Sequence, residues 1–243
     1  MTRGDLGAYL DRIGYTGTPD ATIETLRALH VAHLMSVPFE NLDIHLGRTI
    51  VLDESHLFEK IVRQRRGGFC YELNGLFAGM LRALGFRVTM LSAGVARKSG
   101  GFGPEFDHMT LAVDVEEEQW LADVGFGDGF LEPLRLTADG KGEYHLRRDE
   151  RWILLRGDEP QYRFTLTPHL PADYADMCRY HQTSPESSFT RGRLATRATT
   201  GGRITVTDHR LIVTRGGVRE EREISGEQEF RQICVEHLGL RWE

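Results

Sequence analysis

Apolar residues recur at helical spacing through the first third of the chain and at strand spacing through most of the rest. Leu6 to Ile13 reads as a short helix stopped by Gly14. Thr22 to Leu34 reads as a second, with Leu26, Leu29, His30 and His33 on or near one stripe and Pro38 ending it. Ser55 is placed to cap a third helix that runs through Val62. A fourth begins at Cys70. Leu73, Leu76, Phe77, Met80 and Leu84 follow at helical spacing, and Gly85 supplies the stop.

From Phe86 the period changes to two, with Val88, Met90 and Ser92 alternating with Arg87, Thr89 and Leu91. The Gly-rich segment Ser99–Pro104 predicts a mobile loop. His108 to Val115 and Trp120 to Val124 read as strands joined across Glu116–Gln119. Glu143–Arg148, Trp152–Arg156 and Gln161–Leu166 continue the β pattern, and Pro171–Tyr180 reads as helical. Arg203–Thr207, Leu211–Arg215 and Val218–Ile224 form a meander. A last helix, Glu227 to Leu238, presents Phe230, Ile233, Cys234 and Leu238 on one face. Helices, then strands, then a mixed tail predict an α+β chain of up to three packed subdomains.

The chain has 243 residues and a formal charge of −6, with no Lys/Arg-rich run. That balance argues against nucleic acid as a partner. An anionic cofactor would need a local basic patch, for which Arg65-Arg66 and Arg97-Lys98 are the candidates. The N-terminus carries no signal-peptide pattern, and no apolar stretch approaches a membrane span. Three widely spaced cysteines argue against a disulfide framework and against a CxxC zinc site, and fit a reducing cytoplasm.

The densest chemistry lies in Arg66-Gly67-Gly68-Phe69-Cys70-Tyr71-Glu72-Leu73-Asn74. Cys70 stands where a loop becomes the first turn of a helix. The unpaired N–H groups there favour thiolate over thiol. Gly67 and Gly68 lack side chains, so a substrate can approach the sulfur. Cys234, on an apolar helix face, and Cys178, without glycines before it, lack these features.

A base for Cys70 is sought among ten histidines. His30 and His33 form an HxxH with no nearby third ligand, a weak metal signal. His108 is set apart by its strand. Met109, Leu111, Val113 and Val115 form an apolar face, which turns His108, Thr110 and Ala112 the other way, toward solvent or a cleft. In a hairpin with an even-numbered loop, Asp123 shares the face of His108. A turn centred on Val115 and Glu116 sets the two directly opposite, whereas a two-residue turn at Glu116-Glu117 or a four-residue loop displaces them. Gly125-Phe126-Gly127-Asp128-Gly129 is neither a Walker A loop nor a dinucleotide fingerprint.

Taken together, the Cys70 segment, His108 and Leu121-Ala122-Asp123-Val124-Gly125-Phe126-Gly127 resemble the arylamine N-acetyltransferases. Pro38-Phe39-Glu40-Asn41-Leu42-Asp43 and Thr183-Ser184-Pro185-Glu186-Ser187-Ser188-Phe189 are similar to two further segments of that family. The resemblance implies a helical subdomain (1–85), a β-barrel-like subdomain (86–190) and an α/β lid (191–243). It implies a cysteine-protease-like triad of Cys70, His108 and Asp123, and an acyl-CoA and acceptor pocket lined by Gly125, Phe126, Gly127 and Thr110. It also implies acetyl-CoA as co-substrate without a metal, an arylamine or arylhydrazine acceptor, and ping-pong transfer through acetyl-Cys70. The chain is short for the family between Asp128 and Phe164 and in its tail, regions that shape the donor and acceptor clefts. Phe69, Phe102 and Phe126 are candidate walls for a flat ring. Two other enzyme readings are an amide synthase with a larger acyl donor, closing a polyketide macrolactam, and a cysteine hydrolase. A binding module with an inert cysteine is the non-enzyme reading.

Overall fold

A computed structural model of the protein describes residues 1–138 and 140–242. Helix α1 (Arg3–Ile13) opens on a capping box between Thr2 and Asp5, and Gly14 ends it at φ 71°. Helix α2 (Ile23–Ser36) is capped by the Thr22 side chain. A short strand β1 (Phe39–Glu40) and helical turn α3 (Leu42–His45) follow. Helix α4 (Glu54–Phe58) is capped by Asp53 rather than Ser55. The Asp53 carboxylate takes the N–H groups of both Ser55 and His56, which places Ser55 inside the first turn. The helix then widens into a π-helical turn over Glu59–Arg63. Helix α5 (Cys70–Ala83) is the centre of the first layer, with Leu73, Leu76, Phe77 and Met80 shut off from solvent.

The next strands are β2 (Arg87–Val95), β3 (His108–Val115), β4 (Glu118–Ala122), β5 (Leu134–Arg135), β6 (Tyr144–Arg148), β7 (Trp152–Arg156) and β8 (Glu159–Phe164). They form one antiparallel, nearly closed sheet in the order β5-β4-β3-β2-β8-β7-β6. The hairpin β3–β4 turns on Glu116 and Glu117, both at positive φ (51° and 68°), as a tight two-residue turn requires. Val115 therefore faces Glu118 and Leu111 faces Ala122. One step further, Asp123 comes opposite Thr110, and His108 lies two residues along on the same face. The displaced pairing is thus the one adopted, and the shared face is kept.

Both faces of β3 are buried. Met109, Leu111, Val113 and Val115 pack in the core that contains α5. Ala112 packs inside the curved sheet with Leu121, Leu154, Tyr162 and Phe164. The face of His108 is therefore largely closed by the curved sheet, and of the two expectations, solvent or a cleft, the structure gives the cleft: His108 is buried and lines a cavity. The Gly-rich segment after β2 is a hydrogen-bonded turn, tied by a bridge from Ala96 to Phe102 and by bonds between Arg97 and both Gly100 and Gly101, not a loose loop.

A 3₁₀ turn at Pro171–Tyr174 leads into α6 (Ala175–Thr183). Strands β9 (Leu194–Thr199), β10 (Gly202–Thr207), β11 (Arg210–Arg215) and β12 (Val218–Glu223) build a second sheet, and β1 pairs with β9 at its edge. Helix α7 (Glu227–Ile233) runs on into a wider turn at Cys234–Leu238. Phe230, Ile233, Cys234 and Leu238 share a third core with Leu211 and Val206. Among the described residues no helix is long and apolar enough to cross a membrane.

Candidate active site

Cys70 is the first residue of α5 and is buried. The loop that delivers it rests on a buried ion network. Arg66 pairs with Glu40 (2.8 Å) and Asp43 (2.9 Å), and Lys60 pairs with Asp43 and Glu72 (both 2.7 Å). Glu72 also accepts the Phe69 N–H at 3.1 Å and so fixes the residue before the cysteine. Arg66 is thereby committed to carboxylates and is not a site for an anionic cofactor. The two glycines serve packing rather than substrate access. A β-carbon on Gly67 would lie 2.0 Å from the Pro38 carbonyl oxygen, and one on Gly68 would lie 2.8 Å from Glu72.

His108 Nε2 is 2.6 Å from Asp123 Oδ2, with both side chains buried. Three further groups hold the Asp123 carboxylate. Tyr162 donates its hydroxyl to Oδ2 at 2.9 Å, while Asn74 Nδ2 (2.9 Å) and the Gly125 N–H (3.0 Å) donate to Oδ1. Asn74 also donates to Met109 O and accepts the Val124 N–H, so α5 grips the end of the hairpin. His30 Nε2 accepts the Asp123 N–H at 3.0 Å, and its Nδ1 lies 2.7 Å from Leu131 O. Burial lowers His30 to about 4, so its ring is neutral and able to accept. His33 bonds Tyr9 instead, at 2.6 Å. The HxxH pair is thus used in hydrogen bonding.

Burial alone would raise the Asp123 carboxyl. The nearby His108 charge and the hydrogen bonds from His108, Asn74 and Gly125 reverse that and hold it below its ordinary value. Cys70 moves against the helix-field expectation. Burial raises its thiol well above the ordinary value and the Asp123 charge adds to this, while a hydrogen bond with the Met109 backbone works the other way. A buried thiolate here is favourable only beside a compensating cation. With Nε2 of His108 bound to Asp123, Nδ1 is the nitrogen available to the sulfur.

Cys70, His108, Gly125, Phe126 and Gly127 line one cavity of about 550 Å³ between the barrel sheet and β9–β12. Phe39, Phe189 and Val95 supply further apolar wall, and Arg203 and Arg219 supply the cationic groups. Phe126 meets the His108 ring edge-on at 5.3 Å. A chain of 222 residues, 22–243, matches the family model described as N-acetyltransferase. The Escherichia coli (strain K12) arylamine N-acetyltransferase is 37% identical across 97% of this chain and 88% of its own. The Salmonella typhimurium arylamine N-acetyltransferase structure superposes with a TM-score of 0.91 at 36% identity, covering 99% of this chain and 92% of that one. The chain belongs to the arylamine N-acetyltransferase family. The Mycobacterium marinum arylamine N-acetyltransferase, solved in complex with CoA, superposes with a TM-score of 0.88 at 31% identity over 96% of this chain and 92% of that one.

In this N-acetyltransferase the cavity gathers five of the seven residues singled out in sequence. Asp123 lies behind them, bonded to His108. Thr110 does not line the cavity. It is fully buried, its hydroxyl 3.3 Å from Tyr162 and 3.4 Å from the Ala122 carbonyl oxygen. Phe69 is likewise sealed in the helical core, and Phe102 packs against Arg163. Tyr162 and the arginines Arg203 and Arg219 carry no local sequence signal, and the HxxH signal of His30 does not point to its bond with Asp123. Each reaches the site from an element remote in sequence. Asn74 had one, at one turn from Cys70 on the same helix.

Proposed function

We propose that this arylamine N-acetyltransferase works by a two-step relay through Cys70, with acetyl-CoA as donor and an arylamine or arylhydrazine as acceptor. The observation that carries the reading is a single cavity in which Cys70 and His108 share a wall, with His108 oriented from behind by a fully hydrogen-bonded Asp123. The CoA complex of the Mycobacterium marinum relative supports the choice of donor.

In the first half-reaction His108 takes the Cys70 proton, and Asp123 stabilises the resulting imidazolium. The thiolate attacks the thioester carbonyl. The tetrahedral intermediate collapses to acetyl-Cys70, and the CoA sulfur leaves with the proton from His108. Backbone N–H groups near Cys70 serve as the oxyanion donors in this reading; loss of one such donor costs about 100- to 1,000-fold. In the second half-reaction the amine nitrogen attacks acetyl-Cys70 and gives its proton to His108. That proton returns to the departing Cys70 sulfur. An arylamine suits this step because it is neutral near pH 7, whereas an alkylamine is protonated.

The test is incubation with acetyl-CoA alone, acid quench and intact mass. One added acetyl mass, mapped to Cys70 and discharged by a simple arylamine, is expected. Absence of that adduct in a turnover-competent preparation, or full turnover by Cys70→Ala, would overturn the relay. Failure of acetyl-CoA to act as donor would point to a larger acyl group.

A further inference from the structure

Phe126 enters the cavity on a loop, 125–129, that is held from both sides. Its ring meets His108 edge-on at 5.3 Å and Tyr162 at 5.0 Å, so its place sets the room beside the imidazole. From the barrel, Tyr144 on β6 donates its hydroxyl to the Asp128 carbonyl oxygen at 2.9 Å, and Arg156 on β7 pairs with Asp128 Oδ2 at 3.2 Å. From the second sheet, Arg203 on β10 pairs with Asp128 Oδ1 at 3.0 Å and donates from Nη1 to the Gly127 carbonyl oxygen. The same nitrogen lies 3.2 Å from Thr196 Oγ1 on β9, which aims the guanidinium. Gly127 stands at φ 81°, and a β-carbon there would meet Phe39 at 3.7 Å and Thr196 at 3.8 Å, so the loop rests on the β1–β9 edge.

The two grips are unequal. The Arg156 side chain is 43% exposed and that of Asp128 63%, and an ion pair in so much water is worth little. Arg203 is only 15% exposed, so its bonds are less screened, and its guanidinium is costly to leave unpaired. Among the described residues, every hydrogen bond and ion pair between residues 86–166 and strands β9–β12 is made by Arg203. The cavity lies in that seam, with Phe126 on the loop side and Thr205, Ile212 and Thr214 on the sheet side. Without Arg203 the loop keeps only its grip from the barrel, and Phe126 is free to withdraw.

We infer that Arg203 is a positioning residue for acceptor choice: it latches loop 125–129 to the second sheet and so sets the breadth of the slot between Phe126 and β9–β12. It acts through Phe126, not on the reacting atoms. The inference rests on the acetyl-transfer reading above.

The test is a competition between aniline and 3,5-dimethylaniline for the same acetyl-enzyme. The two amines are close in basicity and differ in breadth. The product ratio reads acceptor choice alone, because both compounds share the first half-reaction, and it does not depend on how much of the protein is folded. Arg203→Leu removes the latch and keeps an apolar side chain. It should raise the ratio of broad to slim product about tenfold, the lower end of what one methylene decides in an apolar pocket. Asp128→Ala leaves the Gly127 bond in place and should raise the ratio about threefold, since part of the hydrogen bonding survives. Asp128 is exposed, so that variant decides the matter if Arg203→Leu does not fold. An unchanged or lowered ratio in the folded variants overturns the latch. So does equal slowing with both amines, which would make Arg203 merely structural. Absence of transfer to either amine in the wild type would instead sink the acetyl-transfer reading.

Discussion

Tyr162 donates its hydroxyl to the same Asp123 oxygen, Oδ2, that His108 Nε2 engages. Burial raises the phenol well above its ordinary value, so it stays neutral and serves as a donor. The bond therefore supports the carboxylate in its ionised form, the form that stabilises an imidazolium. Tyr162→Phe should keep the fold, since the ring and its packing remain, and should slow Cys70 acetylation about tenfold. That loss matches about 1.5–3 kcal/mol for a hydrogen bond to a charged group, partly expressed in the transition state. Single-turnover acetylation with a thermal melt checks it. A rate within twofold of wild type would show that the hydroxyl does not tune Asp123.

Parity along one hairpin places His108 and Asp123 on a common face for any even-numbered loop, and the two-residue turn at Glu116 and Glu117 meets that condition. Helices α2 and α5 were legible for the same reason, through long unbroken periodicity. Strands β1 and β9 were not. Phe39–Glu40 is too short to show a period, and its pairing with Ala195 and Thr196 is supplied by residues far along the chain. Tyr162 and His30 converge on Asp123 from 39 and 93 residues away, a distance no local pattern spans. The glycines before Cys70 were visible, but their reason was not. It lies in the Pro38 carbonyl and the Glu72 side chain, which only the folded chain brings near.

Asp123→Asn should lower acetyl transfer by about 1,000- to 10,000-fold with the fold retained, the loss seen when a triad carboxylate becomes an amide. It should also change the acid limb of stability. The Asp123 carboxyl lies below its ordinary 3.8 in the folded protein. A lowered folded value contributes stability that is complete above 3.8 and is lost as pH falls through the folded value. Melting temperatures of wild type and variant should therefore converge as pH drops below 3.8. A gap that widens with acid would contradict the assigned charge state.

Alkylation by iodoacetamide near pH 7 should report on the imidazole. Burial pushes the Cys178 and Cys234 thiols up to about 12, and neither lines the Cys70 cavity. Burial raises Cys70 as well, so the proposed relay requires proton transfer to His108 for the sulfur to react. Cys70 should label first in the wild type, and His108→Gln should slow that labelling at least tenfold. Peptide mapping over time gives both rates. Equal labelling of Cys70 in the two proteins would mean that His108 is not the base.

Gly125 joins the hairpin to the start of α5 with no room to spare. A β-carbon there would lie 2.8 Å from Cys70 Cα and 2.8 Å from Asn74 Nδ2. The first neighbour is backbone and cannot swing aside. The second is the amide that holds Asp123. Gly125→Ala must therefore displace the nucleophile, the orienting carboxylate or both. Overpacking of this kind costs about 1–3 kcal/mol, and transfer should fall more than tenfold. Gly7→Ala is the contrast, on α1, where a β-carbon would meet nothing within 4 Å. It should raise the melting temperature, through a helix-propensity gain of up to about 1 kcal/mol, and leave transfer alone. Wild-type activity in folded Gly125→Ala would show that Cys70 and Asp123 tolerate relative movement, which the relay does not.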